Sequence, residues 1–477
     1  MIPRWQKPFL FALAVSLSAL FAIAQQPLIQ RSAPRFQGGG WAEQIQCLIP
    51  VKPGERLILR ADPGAVNVSA GAANQVRCVI LLRSYNRDPQ EARTCLDRYR
   101  LTAVRTPDGA RLEGRPGCAS DSPLEARFDV SVPLKINLDL RSESGNITIE
   151  KLDGSVRAVT MGGDIRAGDV LGPISVRTAG GTIDLGNIGK GVEAHSAGGN
   201  VRVGNVNGSA TLETQGGVII AGVVNGPMTA ETAGGDIVLE AASGPVTVET
   251  AGGQIHLGQC GNSVHAQTAG GNIRVAGSRG LVKVESMGGN ITLLKAMGPV
   301  SAQTLAGRIL AQIAASRGTF GPSRLETQVG DVDVFVPPAL PVTIDASILH
   351  PMGHRIISDF PFTGVSPRPA PRPAFDFRQQ HAEILLHGGG SPLNIQTLTG
   401  SIQIRKLDAA SIARLKASQD AFWKNWSDMQ NTEIQMQEVQ RAIEQQRREI
   451  ERQVQELNRE LMQQVREQVE HLGGDNQ

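Results

Sequence analysis

Glu213, Glu231 and Glu249 recur at intervals of 18 residues, and a row of carboxylates is where acid–base chemistry on a polymer would be sought. If each 18-residue unit is one turn of a stacked chain, these carboxylates lie about 4.8 Å apart in a single file. That is close to the roughly 5 Å between the paired carboxyls of a retaining glycosidase. The same position in neighbouring units holds Arg177, His195 and Gln267, however, so the file reads more simply as a solvated charged row. His256 and His265 take outward positions on different strands with no acid constellation beside them. Catalysis is therefore not expected, nor is any cofactor.

Two other columns invite chemistry. Thr160, Thr178, Ser196, Thr214, Thr232, Thr250, Thr268, Ser286 and Thr304 share one position, and an outward threonine file would suggest ice binding. Parity opposes it. Thr250 lies two residues after Val248 and four after Val246, so it shares their inward side, where its hydroxyl would bond backbone at the adjoining corner. Gly-Gly followed by Asp or Asn resembles calcium-binding coils, but Asp164 and Asp236 are the only acids there; Asn146, Asn200, Asn272, Asn290, Thr182, Val218, Gln254 and Arg308 fill the other units. A hard cation wants several oxygen ligands at each site, so no metal is expected.

The columns presuppose a repeat. Ten glycines from Gly145 to Gly307 keep an 18-residue spacing without insertion, eight of them preceded by a second glycine. A fixed short period marks one turn of a solenoid, whose neighbours bury what a single turn cannot. Two residues after each glycine comes an Ile or Val, such as Ile237 or Ile255, and two further on another apolar residue, such as Leu239 or Leu257. This alternation predicts a half-buried strand. A third inward slot runs Leu152, Val170, Ile188, Val206, Val224, Ala242 and Cys260, which makes Cys260 a buried thiol rather than a reactive one. A second corner, often Gly-Pro as at Gly226-Pro227 and Gly244-Pro245, precedes a second strand such as Val246–Thr250. Stacking of like on like is favoured over a meander of hairpins; the handedness of winding stays open. The fold class expected is mainly β: a single-chain β-solenoid of 18-residue coils with a long C-terminal α-helix.

The flanks divide the chain further. Residues 1–24 read as a signal peptide, with Arg4 and Lys7, an apolar run from Phe9 to Ile23, and Ala22-Ile23-Ala24 for cleavage. Residues 25–140 form an N-terminal cap or β region holding Cys47, Cys78, Cys95 and Cys118, candidates for two disulfides in an oxidising compartment with three connectivities open. The regular solenoid is placed at 141–313, and irregular coils and a cap with a proline-rich loop (Ser366 to Pro373) at 314–407, where Asn394 to Ile404 resembles one more coil. From 408 to 472 there is no Pro or Gly; Met436, Ile443, Ile450 and Leu457 fall seven apart, with Val454, Leu461 and Gln468 as a second file, which predicts a coiled-coil-like helix. Phe422, Trp423 and Trp426 near its start are expected to dock it on the cap, and 473–477 to be a disordered tail. Aromatic content of 4% with 54 glycines suits a narrow core of small residues, and a net charge of +2 argues against nucleic acid as a partner.

Ser144-Gly145-Asn146-Ile147-Thr148-Ile149, the repeated Thr-Ala-Gly-Gly-x-Ile corners, Phe128 to Pro133, and Ser358-Asp359-Phe360-Pro361 before a closing Thr-x-x-Gly-x-Ile-x-Ile resemble the bacterial putative adhesin family of secreted β-solenoids, over roughly residues 50 to 407. The resemblance implies a non-catalytic protein outside the cytoplasm: periplasmic, at the cell surface or secreted. Its partners would be protein or polysaccharide components of the envelope or of another surface, with no transmembrane segment in the mature chain. The long helix is less typical of that family; heptad spacing alone suggests that it sets a homo-oligomer or attaches the rod to a partner, the alternative being a single helix packed along the rod. A scaffold that senses envelope stress shares every one of these features, and a polysaccharide-active β-helix enzyme is the remaining alternative.

Overall fold

The computed structural model describes residues 28–425, except 38, 72–73, 87, 119–123, 317 and 367–378, together with residue 428. The expected signal peptide, most of the proline-rich loop, Trp426, the heptad positions from Met436 to Gln468 and the tail lie outside the described residues. The chain separates into two compact units, Met1–Leu407 and Asp408–Gln477.

The first unit is a β-solenoid with two strands to each regular coil. The strand after each glycine corner belongs to one sheet and the strand after the second corner to another, and within each sheet like pairs with like in parallel. Ile237 pairs with Ile255 and Leu239 with Leu257 in the first sheet. Val246 pairs with Val264, Val248 with Ala266 and Thr250 with Thr268 in the second. The offset is the sequence period itself, so every inward side chain stands on its equivalent one coil away. Parallel stacking excludes the meander of hairpins. The third inward slot is real: Leu152, Val170, Ile188, Val206 and Val224 form a continuous ladder of parallel bridges, and all are buried in a core that runs through the whole stack.

The corners explain the glycines. A Cβ at Gly235 would sit 2.0 Å from the carbonyl oxygen of Gly217, and one at Gly253 only 1.9 Å from that of Gly235. The first glycine of each pair is far less constrained: at Gly234 and Gly252 the nearest atom is 3.6 Å away. The second corner has its own glycine column, since a Cβ at Gly172 would meet the Gly154 oxygen at 2.1 Å. Glycine is required where successive coils bring backbone onto backbone, and it is the second of the pair that meets that need.

Stacking begins before the period does. Arg56–Ala61 pairs in parallel with Asn137–Ser142, and Ala65–Ala70 with the strand at Ile147–Ile149, so a first coil precedes an excursion of some sixty residues. That excursion builds a cap. Gly40–Pro50 and Gln75–Ser84 run antiparallel to one another, Leu124–Val132 joins Gln75–Ser84 antiparallel, and the same strand meets Ala65–Ala70 in parallel. Unpaired sheet edges invite foreign strands, and these antiparallel strands cover one. Helix α1 (Pro89–Asp97), which the sequence reading does not anticipate, lies in the same region; Asp88 caps it by accepting from the Gln90 N–H at 2.8 Å, and it buries Ala92, Cys95 and Leu96. Two disulfides settle the connectivity as Cys47–Cys78 and Cys95–Cys118.

At the other end, Ser391–Thr399 pairs in parallel with Ser323–Val329 and Ile402–Lys406 with Val332–Val336. The stretch from Asn394 to Ile404 is thus a closing coil, as its pattern suggests. In the second unit, helix α2 (409–425) starts at Asp408, whose carboxylate accepts from the Ser411 N–H at 2.7 Å. That bond is the main cause holding the Asp408 carboxyl below its ordinary range. Phe422 and Trp423 of α2 meet edge to face with centroids 5.4 Å apart.

Candidate functional site: the outer face of the second sheet

Each five-residue strand of the second sheet points three side chains inward and two outward, as the buried–open alternation of Val246–Thr250 shows. The inner file at the strand end is the threonine column, and all its members are buried. Thr250 donates its hydroxyl to the Gly235 carbonyl at 3.0 Å and accepts from the Gly253 N–H at 3.1 Å. Ser196 does the same between Gly181 and Gly199, at 2.8 and 2.9 Å. The column continues past the regular period, with Ser142 bonding the Gly64 carbonyl and Thr397 that of Gly330. One hydroxyl thus satisfies a carbonyl of one coil and an N–H of the next, in a place where water has no access. The hydroxyls of this file are thus committed to the backbone of the stack.

The corner acids and amides are occupied as well. Asn146 accepts from the Asp164 N–H at 2.8 Å, Asp164 from the Thr182 N–H at 2.9 Å, and Asp236 from the Gln254 N–H at 2.7 Å. A matching ladder, at the bend before the third inward slot, runs from Asp169 to Asn187 to Asn205. The Asn187 backbone and side-chain hydrogen bonds hold the Asp169 carboxyl below its usual value. The sequence reading misses these ladders, although their signal is present: a column of Asn and Asp directly after the glycine. Among the described residues, no group of three or more His, Cys, Asp or Glu side chains is placed to hold a metal.

Two isolated groups resolve differently. Cys260 is 3% exposed between Ala242 and Ser278 in the ladder, and burial pushes its thiol up to about 12; the thiolate needed for nucleophilic chemistry is not formed there at neutral pH. His256, expected to point outward, does so but is only 9% exposed. Loss of solvent lowers its pKa, with Asp236 opposing and Arg274 reinforcing the shift.

What remains open is the outer face of the second sheet. Its second outward file reads Arg177, His195, Glu213, Glu231, Glu249, Gln267, Glu285, Gln303 and Glu326, in register from strand to strand. Beside it, at the corner, runs a shoulder of Ala233, Ala251, Ala269, Met287 and Leu305. File and shoulder bound a groove of about 810 Å³ from His195 to Gln328. A second hollow, of about 620 Å³, opens at the other strand edge among Asp139, Arg157, Ser175 and Glu193. His195 Nδ1 lies 2.9 Å from Glu213, Lys283 2.9 Å from Glu285 and Arg324 2.8 Å from Glu326. Glu231 and Glu249 are exposed. They lack the apolar enclosure by which a general acid keeps its proton at neutral pH. The arrangement is a long, shallow, mostly acidic track that can attract cationic or hydroxyl-rich groups at each coil.

Among solved structures, a "putative cell adhesion protein" from Clostridium sporogenes ATCC 15579 is similar at 10% identity, covering 78% of this chain and all of that one, with a TM-score of 0.13. A likeness of that size carries no argument, and the fold assignment rests on the strand pairing itself. No protein-family model matches the chain, and no curated protein matches it.

Proposed function

We propose that this chain is an exported, non-catalytic binding scaffold, adhesin-like in the sense that an extended repetitive face engages components of a cell envelope or of another surface. The observation behind this reading is the groove along the second sheet. It repeats one shallow set of contacts coil after coil, which suits a long partner better than a small substrate. The two disulfides fit an oxidising compartment. In this reading the two outward files and the apolar shoulder supply the contacts, and the inward columns only hold them in place.

The test is binding of the purified full chain to isolated envelope fractions and to a panel of polysaccharides, beside the shoulder variants Met287→Glu and Leu305→Glu. Both side chains are exposed, so folding should survive while binding falls about tenfold or more, as is usual when a charge enters an apolar contact. Equal binding by the variants would remove the groove from the proposal. Turnover of any polysaccharide that disappears in Glu231→Gln would replace the scaffold reading with the enzymatic one.

A further inference from the structure

The outer face of the second sheet carries a charge order that the repeat does not require. Over eight successive strands, from Arg56–Ala61 to Val246–Thr250, its second outward file runs Arg60, Arg141, Val159, Arg177, then His195, Glu213, Glu231, Glu249. Within these eight strands the basic members precede the acidic ones, and the reversal falls between the strands Ile174–Thr178 and Val192–Ser196; on the strand before them, Gly109–Arg115, Glu113 lies beside Arg60 in the same file. The first outward file in the acidic half begins with Glu193 and is neutral from there, with Thr211, Thr229 and Thr247 on consecutive strands.

We propose that this face pairs with the same face of a second copy of the chain, about a two-fold axis that runs along the strand direction between those two strands. Such an axis reverses the order of coils while keeping each file opposite itself. It sets Arg60 against Glu249 of the other copy, Arg141 against Glu231 and Arg177 against His195, and each pairing occurs twice, as an isologous contact requires. Within the first file it places Arg157 over Thr211, beside Glu213, and Ser175 over Glu193. A two-fold axis along the stack, which keeps the coils in the same order, exchanges the two files and sets Glu213, Glu231 and Glu249 against Thr211, Thr229 and Thr247, leaving these carboxylates without a cation. Complementarity therefore selects the antiparallel pairing and suppresses the parallel one.

The face is large enough. Eight strands about 4.8 Å apart and five residues of about 3.3 Å each give roughly 650 Å² per copy, or about 1,300 Å² in all, within the range of stable complexes. Its charges are available: Arg141, Arg157, Arg177, Glu231 and Glu249 are exposed, whereas Arg60 is half-buried with Glu113 3.9 Å away and Arg141 has Asp139 at the 4.0 Å limit. The groove beyond Glu249, with Met287 and Leu305, stays outside the paired surface. The part of the groove from His195 to Glu249 lies within it, so self-association and a foreign partner share those four positions.

The experiment is sedimentation equilibrium of the full chain, with Arg141→Glu and Glu231→Arg made separately. Wild type should dimerise at about 100 μM protein and 20 mM salt and weaken at least tenfold toward 0.5 M salt, as screening requires. Each variant alone places like charges opposite one another and should self-associate at least about tenfold more weakly. An equimolar mixture restores opposite charges at both copies of the pair and should regain wild-type mass, a rescue that a folding defect cannot imitate. Three results would overturn the proposal: a wild type that stays monomeric, variants that associate as well as wild type, or a mixture no better than its components. Association unchanged in both variants but lost on removal of residues 408–477 would assign it to the C-terminal segment instead. Failure here leaves the envelope-binding result untouched, because that test reads Met287 and Leu305.

Discussion

Alanine at Gly235 and alanine at Gly234, one residue apart, should have different outcomes by several kcal/mol. At Gly235 the new Cβ would stand 2.0 Å from the Gly217 oxygen and 2.4 Å from its carbonyl carbon. Both are backbone atoms of the preceding coil, which is itself fixed in both ladders. Relief demands that the coils part by more than an ångström at this corner. The separation would also pull the Thr232 hydroxyl from the Gly217 carbonyl and the Gly235 N–H, now bonded at 3.0 and 3.2 Å. Leaving one or two buried polar groups unsatisfied costs about 1–3 kcal/mol each, so with strain the total comes to about 3–5 kcal/mol, in the range reserved for severe substitutions. At Gly234 the nearest atom is 3.6 Å away and φ is not positive. Alanine there should stay within about 1 kcal/mol of wild type, with the unfolded chain's lost entropy tending to make it stabilising. Urea unfolding followed by far-ultraviolet circular dichroism reads both. Equal midpoints for the two variants, or a wild-type midpoint for Gly235→Ala, would refute the contact between coils as the reason for the glycine period.

Thr250→Val keeps the shape of an inward side chain but leaves the Gly235 carbonyl and Gly253 N–H without their partner; it should cost about 2–4 kcal/mol while Thr250→Ser stays near wild type in the same urea assay. His256 is held neutral by burial, so its folded pKa lies below the unfolded one; the stability this gives is present above the ordinary histidine pKa and is lost as pH falls from there through the folded value. The thermal midpoint should therefore drop between pH 7.5 and 5, and less steeply in His256→Gln. Reducing Cys47–Cys78, which closes a separation of 31 residues, should remove about 3–4 kcal/mol from the N-terminal cap; hydrogen exchange should rise in Gly40–Pro50 and Gln75–Ser84 while Ile237–Ala242 keeps its protection. Glu231→Gln relieves like-charge stacking with both Glu213 and Glu249 and should raise the unfolding free energy by up to about 1–2 kcal/mol at low salt, where a structural role for its charge would lower it.

What could be read from residues alone follows from how a solenoid is held together. An inward side chain rests on its equivalent one coil away, so the column repeats and its parity shows: the buried threonine hydroxyls, Cys260 in an aliphatic slot and the closing coil from Asn394 to Ile404 were all legible in this way. The first coil was not. Arg56–Ala61 and Asn137–Ser142 are neighbours in the sheet but some eighty residues apart in the chain, and pairing at that range leaves no local period. Helix α1 was hidden in a cap without repeats, though Asp88-Pro89 is a sound start signal. Asn and Asp after the corner glycine resemble metal ligands in the sequence, but the partner they meet is the next coil's own N–H. His256 shows the limit of parity, which gives a side chain's direction and not its depth.

The outward columns obey a different logic, and there the question of partners becomes sharper. Stacking fixes the inner files to one residue type, but it asks of the outer files only that they not oppose it. A run of Glu213, Glu231 and Glu249 does oppose it: carboxylates about 4.8 Å apart repel by roughly 0.9 kcal/mol per adjacent pair even at the dielectric of water. Solubility alone would be met as well by alternating signs, which would turn each repulsion into an attraction at the same net charge. Segregation of arginine to one half of the file and glutamate to the other gives up that gain along the stack. It becomes favourable when opposite charge lies across from it, and the same face turned end for end supplies a surface of the reversed order.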